Sequence, residues 1–111
     1  MKTAVLSLAE ALAKGPPPAG NLAIPLLVNE DVEIEIYAPP GKDPQTPHDR
    51  DEVYIVGRGT AKFFDGSKRH AVSPGAYIFV AAHQEHRFEE ISEDFAVWVF
   101  FYGPVREPQR T

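Results

Sequence analysis

Histidine is scarce in this chain, and two of its four histidines lie where metal ligands could converge. They are His48 and His86, and Glu52 follows the first of them by four positions. On one extended strand, residues 48 and 52 would lie about 13 Å apart, too far for one ion with bonds of about 2 Å. The intervening residues 49–51 are polar and turn-prone, so His48 can end one strand while Glu52 begins the next. That reversal makes a shared site feasible.

The composition limits what else could hold a metal. The 111-residue chain has no cysteine, which excludes disulfide scaffolds, thiolate nucleophiles and iron–sulfur clusters. Any bound metal must therefore be held by His, Asp and Glu. The formal net charge is −5, and no basic run is longer than residues 68–69. Because nucleic-acid binding needs a basic face, we expect no nucleic-acid partner.

The length predicts a single domain, residues 1–111, with one hydrophobic core. Residues 1–12 carry one Lys and a short apolar stretch interrupted by Glu10, which fits neither a signal peptide nor a membrane span. We therefore expect a cytoplasmic protein with no membrane partner.

The N-terminal segment, residues 1–21, is predicted to be a short helix and a Pro-rich connector. Residues 7–10, Ser-Leu-Ala-Glu, have the form of a helix capping box. The helix should run to about Lys14 and end at Gly15, because the prolines at 16–18 cannot continue it.

In the main body, residues 22–103, apolar residues recur with the two-residue period of β-strands. In 32–37, apolar residues alternate with Glu33, Glu35 and Tyr37, which is typical of a half-buried strand with its carboxylates in water. A break is expected at 57–59. About eight strands, separated by turns and with no helix between them, predict an all-β barrel or sandwich: 22–28, 32–37, 53–56, 60–64, 69–72, 76–82, 87–91 and 95–102.

The segment around the first candidate ligands resembles the first motif of the cupin family, which reads Gly, a short loop, His-x-His, three or four residues, Glu, six residues, Gly. Gly41 opens the segment, and Glu52 and Gly59 reproduce the Glu-to-Gly interval. His48 takes the second His position. Thr46 stands at the first, which is a departure from the motif.

A later segment is similar to the family's second motif, which reads Gly, five residues, Pro-x-Gly, two residues, His. Gly75 leads this segment and His86 takes the ligand position, while Ala81 and His83 replace the Pro and the Gly. The resemblance covers residues 32–102. It implies a single cupin barrel, a double-stranded β-helix of jelly-roll type, with the short helix as an appendage.

Because Thr46 is not a strong ligand, the resemblance leaves His48, Glu52 and His86 as the ligand set. Two imidazoles and one carboxylate form a facial triad, which favours Fe(II) or Mn and also accepts Zn, Ni or Cu. Thr46 is expected to point the same way as His48, so that it could hold a metal-bound water. Tyr54 could donate a hydrogen bond to substrate.

The other candidates have simpler interpretations. Strand parity places Tyr54 and Phe88 inside the barrel as cavity walls. His83 is expected at the rim and His70 in solvent, and the charged turn 49–51 at the barrel mouth is expected to be hydrated.

The resemblance implies two functions that the sequence leaves open. The first is an enzyme, of oxygenase or isomerase type, acting on a small organic substrate at a mononuclear metal. The second is a non-catalytic cupin that binds a small ligand, with or without a structural metal.

Both faces of the last strand, residues 95–102, are apolar, unlike those of a half-exposed strand. Either the N-terminal segment covers the second face or another subunit does. Of these two, we favour an isologous homodimer.

Overall fold

The structure, a computed structural model, describes residues 3–108. Residues 1–2 of the predicted N-terminal segment, and 109–111 of the predicted domain, lie outside that range. Within it, one helix precedes eight strands: α1 (Leu8–Leu12), β1 (Ile24–Val28), β2 (Val32–Tyr37), β3 (Asp51–Arg58), β4 (Ala61–Phe64), β5 (Arg69–Val72), β6 (Tyr77–Val80), β7 (Arg87–Glu89) and β8 (Ala96–Tyr102). The predicted all-β class is confirmed. No helix in the described part of the chain is long and apolar enough to cross a membrane.

The strands form two antiparallel sheets whose inner faces share one core. The larger sheet has the order β1-β2-β8-β3-β6 and the smaller one β5-β4-β7. Tyr54 and Val97 from the larger sheet pack in the same buried cluster as Phe63 and Phe88 from the smaller one. The two sheets therefore enclose an apolar interior, as a cupin barrel does.

The predicted break at 57–59 is shorter than expected, because β3 continues to Arg58. Gly59 alone ends it, with φ +76°. A Cβ on Gly59 would lie 2.6 Å from Cα of Phe95. Only glycine fits this close approach of two backbone segments.

The helix α1 covers part of the outer face of the larger sheet. The capping box is confirmed: Ser7 N–H donates to the Glu10 carboxylate at 3.0 Å, and Glu10 N–H donates to Ser7 Oγ at 3.1 Å. The helix ends at Leu12, earlier than Lys14. It packs beside Ile36 and Trp98, so the N-terminal segment covers this end of the second apolar face.

The expectation that the carboxylates of β2 face water is wrong. Glu33 and Glu35 line the internal cavity together with Tyr37. The alternating residue Ile36 points outward, where it is buried beside α1. Since the helix covers the outer face, the apolar side of this strand is the outer one, and its polar side faces the cavity.

Candidate metal centre

Three different segments bring the predicted ligands together. His48 lies in the loop between β2 and β3, Glu52 is on β3, and His86 immediately precedes β7. One ligand atom from each residue lies within 4.8 Å of those of the other two. Glu52 and His86 are buried, and the side chain of His48 is 32% exposed. The cluster can therefore be reached from one side, through His48.

A turn places His48 beside Glu52, as the sequence predicts. The chain bends at 49–50 and β3 begins at Asp51. The backbone N–H of His83 donates to the His48 carbonyl at 2.6 Å, and that of Arg106 donates to the Asp49 carbonyl at 2.8 Å. These two bonds hold the turn to later parts of the chain, so the position of His48 depends on tertiary contacts.

The carboxylate of Glu52 is buried, with a relative exposure of 1%. Its Oε1 is 3.0 Å from Nε2 of His86 and 3.8 Å from Nε2 of His48. Among the described residues, neither oxygen accepts a hydrogen bond of good geometry. A buried carboxylate without donors is costly, and a cation between it and the imidazoles would remove that cost. The donor set thus fits a divalent metal.

The ring of His86 is oriented as a metal ligand requires. Its Nδ1 lies 2.8 Å from the Gln84 carbonyl oxygen, which can only accept, so Nδ1 carries the hydrogen. In the neutral ring, Nε2 then directs its lone pair toward Glu52. Burial opposes protonation of His86, but the Glu52 carboxylate 3.0 Å from its Nε2 and the Gln84 carbonyl outweigh burial and raise the pKa of His86 above its ordinary value.

Tyr54 lies in the cavity wall, as strand parity predicts. Its hydroxyl donates to Oε1 of Gln45 at 2.9 Å and is 3.2 Å from Nε2 of His86. Burial and then the charge of Glu52 raise the pKa of Tyr54 well above its ordinary value. The phenol therefore stays protonated and remains a hydrogen-bond donor beside the ligands.

The residue at the expected place of Thr46 is Gln45. Thr46 is exposed and does not line the cavity, whereas Gln45 does. Oε1 of Gln45 is 3.0 Å from Nε2 of His48. The expectation that Thr46 points the same way as His48 is therefore wrong. Residues 45–48 form a loop rather than a strand, so their side chains do not alternate between two faces.

Asp43, which the sequence analysis overlooked, holds Gln45 in that orientation. It is a buried carboxylate whose Oδ2 accepts hydrogen bonds from Nε2 of Gln45 at 2.6 Å and from the Phe88 N–H at 2.9 Å. Its Oδ1 accepts the Tyr37 hydroxyl at 2.5 Å. Loop residues have no periodicity, so no sequence signal could separate Asp43 from a solvated acid.

The ligand cluster opens into a cavity of about 530 Å³. Val99 and Phe101 form part of its apolar wall. Its charged lining is mainly acidic and includes one arginine: Glu33, Glu35, Asp49, Glu52 and Arg50. A space of this size and composition suits a small organic molecule that carries polar groups.

The remaining candidates lie outside the cluster. His83 and His70 are exposed, and Nε2 of His70 is 2.8 Å from Asp65. Phe88 is buried, but it packs behind the Tyr54 ring with a centroid separation of 4.9 Å and does not line the cavity. The expectation that Phe88 is a cavity wall is therefore wrong, since Tyr54 lies between it and the open space.

Comparison with known proteins identifies the family. The family described as Cupin domain matches residues 33–102, more than half of the chain. This protein is a cupin. The match includes Glu33 and all three residues of the candidate metal centre, so the family resemblance read from the two motifs is confirmed.

One relative of this cupin is the uncharacterized protein SCO3923 of Streptomyces coelicolor, which is 42% identical over 62 residues. The match covers 56% of this chain and 59% of that protein, so the chain spans less than two thirds of its relative's length.

Solved structures of other cupins share the fold. A cupin superfamily protein from Desulfitobacterium hafniense matches with a TM-score of 0.66 and 18% identity, covering 92% of this chain and 93% of its own. A protein containing a cupin-2 domain from Shewanella frigidimarina matches with a TM-score of 0.65 and 17% identity, over 89% and 95%. At these identities the likeness shows the fold alone.

Proposed function

We propose that this cupin binds one divalent metal ion through His48, Glu52 and His86, and that the centre is the active site of an enzyme. The observation that carries the proposal is the buried Glu52 carboxylate, which lies beside two imidazoles and has no hydrogen-bond donor of good geometry among residues 3–108. Its substrate would be a small organic molecule in the adjoining cavity, and the reaction would be of oxygenase or isomerase type.

The ligand types favour Fe(II) or Mn, with Zn and Ni as alternatives. When bound, such an ion acts as a Lewis acid or as a redox centre. Glu52 would neutralise one of its charges, and the Gln84 carbonyl would keep Nε2 of His86 free to coordinate.

The other cavity residues would bind and orient the substrate. The protonated Tyr54 hydroxyl lies 3.2 Å from Nε2 of His86, and it would donate to a substrate oxygen held near the ligands in place of its hydrogen bond to Gln45. The apolar wall at Val99 and Phe101 would exclude water from the reacting end of the substrate.

A non-catalytic small-ligand cupin is the second candidate. The contact that favours it is Oε1 of Gln45 at 3.0 Å from Nε2 of His48, because a hydrogen bond there occupies the nitrogen that would coordinate. A substrate screen with Fe(II)- or Mn(II)-loaded protein separates the two functions. Turnover that His86→Ala abolishes in a folded protein would refute the non-catalytic one.

The proposal predicts one metal ion per chain after expression in metal-supplemented medium, measured by elemental analysis. His86→Ala removes one of three ligands and should lower metal affinity at least about 100-fold. His70→Ala is the matched control, because it removes an exposed histidine outside the cavity, and it should retain the ion. Wild-type protein without stoichiometric metal would end the proposal.

A further inference from the structure

The cavity has a second group of carboxylates that the metal triad does not use. Glu33 and Glu35 lie on the same face of β2, and both line the cavity. Both are only partly exposed. Among residues 3–108, neither carboxyl group has a basic partner within ion-pair distance, and the two carboxyl groups hydrogen-bond with each other. Two like charges held together away from bulk water require a cation or a proton for compensation.

Within residues 3–108, the cavity lining includes no lysine, and its one arginine is Arg50. Its guanidinium donates to the backbone carbonyls of Gly103 at 3.0 Å and of Asp31 at 3.1 Å. It is thus engaged at the rim, and no other Lys or Arg of the described part of the chain lines the cavity beside Glu33 and Glu35.

A second observation, independent of this pair, points to a ligand in the same cavity. Glu52 is 1% exposed and lines the same cavity, and no described residue donates a hydrogen bond of good geometry to either of its oxygens. One divalent ion at the triad would compensate Glu52. It would leave the other two carboxyl groups on the same wall without a cation.

The strand register fixes the separation between the Glu33/Glu35 pair and the metal triad. Glu33 pairs with Phe101, and Phe101 pairs in turn with Glu52. Glu33 and Glu52 are therefore two strand spacings apart, about 10 Å between their backbones. This separation suits the two ends of one small molecule.

We propose that Glu33 and Glu35 form a subsite for a cationic group, such as a protonated amine, of a ligand whose oxygen-bearing end meets the metal triad. The inference rests on the proposed function for its metal end only. The pKa of Glu35 agrees with this proposal. Burial and then the charge of Glu33 raise that pKa to about 7. A bound cation would stabilise the ionised form of both groups.

The test compares ligands that differ only in the cationic end. Co(II)-loaded protein is titrated with 4-aminobutanoate, 5-aminopentanoate and 6-aminohexanoate, and with butanoate, pentanoate and hexanoate. Calorimetry gives the affinities, and the visible spectrum of Co(II) reports the carboxylate at the metal. The best amino acid should bind about tenfold more tightly than its matched alkanoate.

The variant Glu33→Gln/Glu35→Gln should abolish that preference and leave the affinity for alkanoates unchanged. The matched control, Glu30→Gln/Glu93→Gln, removes the same charge from exposed residues outside the cavity and should keep the preference. Equal binding of the two ligand series by the wild type would overturn the proposal. So would a preference that survives in the cavity variant, or a second metal ion bound by Glu33 and Glu35.

A separate arm keeps the cation subsite testable if the metal site fails. Metal-free protein is titrated with pentylammonium and with pentanol, followed by amide shifts in NMR spectra. Preference for pentylammonium that disappears in Glu33→Gln/Glu35→Gln supports the subsite even if no metal binds. An equal response to both probes refutes the subsite even if the triad binds metal.

Discussion

Gln45 and Thr46 are neighbours in the chain, but only Gln45 reaches the ligand cluster. Its amide oxygen is 3.0 Å from Nε2 of His48, whereas Thr46 is exposed outside the cavity. The motif resemblance alone would give Thr46 the position of a fourth ligand. In the structure, the side chain of this pair that lies beside His48 is Gln45.

We therefore expect Gln45→His to tighten metal binding and Thr46→His to leave it unchanged. An imidazole at 45 starts beside His48, and it binds a transition metal more strongly than an amide oxygen does. Competition with a chromogenic chelator for Zn(II) measures both affinities, and circular dichroism checks the fold. Tighter binding by Thr46→His alone would show that the loop 45–48 adopts the alternation of the motif.

At the scale of elements, the turn that carries His48 is held in place by two other segments. They are the C-terminal segment, residues 103–108, and the loop 81–86. Asp51 is central to this contact: its carboxylate accepts the Ala82 N–H at 2.9 Å and is 3.2 Å from Nε of Arg106. Imidazole Nε2 of His83 also lies 2.6 Å from the Arg106 carbonyl oxygen. His83 is therefore a structural contact and not a metal ligand.

Asp51→Ala removes the carboxylate that makes these contacts, and it should weaken metal binding about tenfold. The variant disturbs the contacts that position two metal ligands, but it removes neither ligand. The free energy of unfolding should fall by about 1 kcal/mol through the lost hydrogen bond. Chelator competition and urea unfolding measure the two effects. Asp31→Ala, at an exposed turn outside this contact, is the matched control and should change neither affinity nor stability appreciably. Unchanged metal affinity in Asp51→Ala would show that the turn keeps its conformation without the contacts of Asp51.

At the scale of the whole molecule, the outer face of the larger sheet is only partly covered. The helix α1 packs over Trp98 and Ile36, while Tyr77 and Phe79 on the edge strand β6 remain 65% and 48% exposed. We propose that a second copy of the chain covers this remaining part in an isologous homodimer.

The dimer predicts a sedimenting mass of twice 12.3 kDa at micromolar concentration. Phe79→Asp should shift the protein to the monomer, because it places a charge in the apolar contact. Val105→Asp is the control, since Val105 is 65% exposed and lies outside the strands. A monomeric wild type in sedimentation velocity would contradict the dimer.

Much of the fold and the core of the candidate site could be predicted from the sequence. Turn residues separate the apolar runs, so their spacing predicted eight strands, and the capping box predicted the start of α1. The ligand types and the polar turn after His48 predicted which three side chains come together. These features depend on the types of neighbouring residues and on the two-residue alternation of a strand, and both can be identified from the sequence alone.

Only the tertiary structure decided which side of β2 faces the cavity and which loop residue faces the metal ligands. Parity shows that Glu33 and Glu35 share a face, but not which face is internal, because a helix distant in sequence covers the other one. Gln45 lies in a loop, where no period predicts direction, and Asp43 fixes it through contacts with Tyr37 and Phe88. The contact between Asp43 and Phe88 joins residues 45 positions apart in the chain, so it exists only once the sheets have packed.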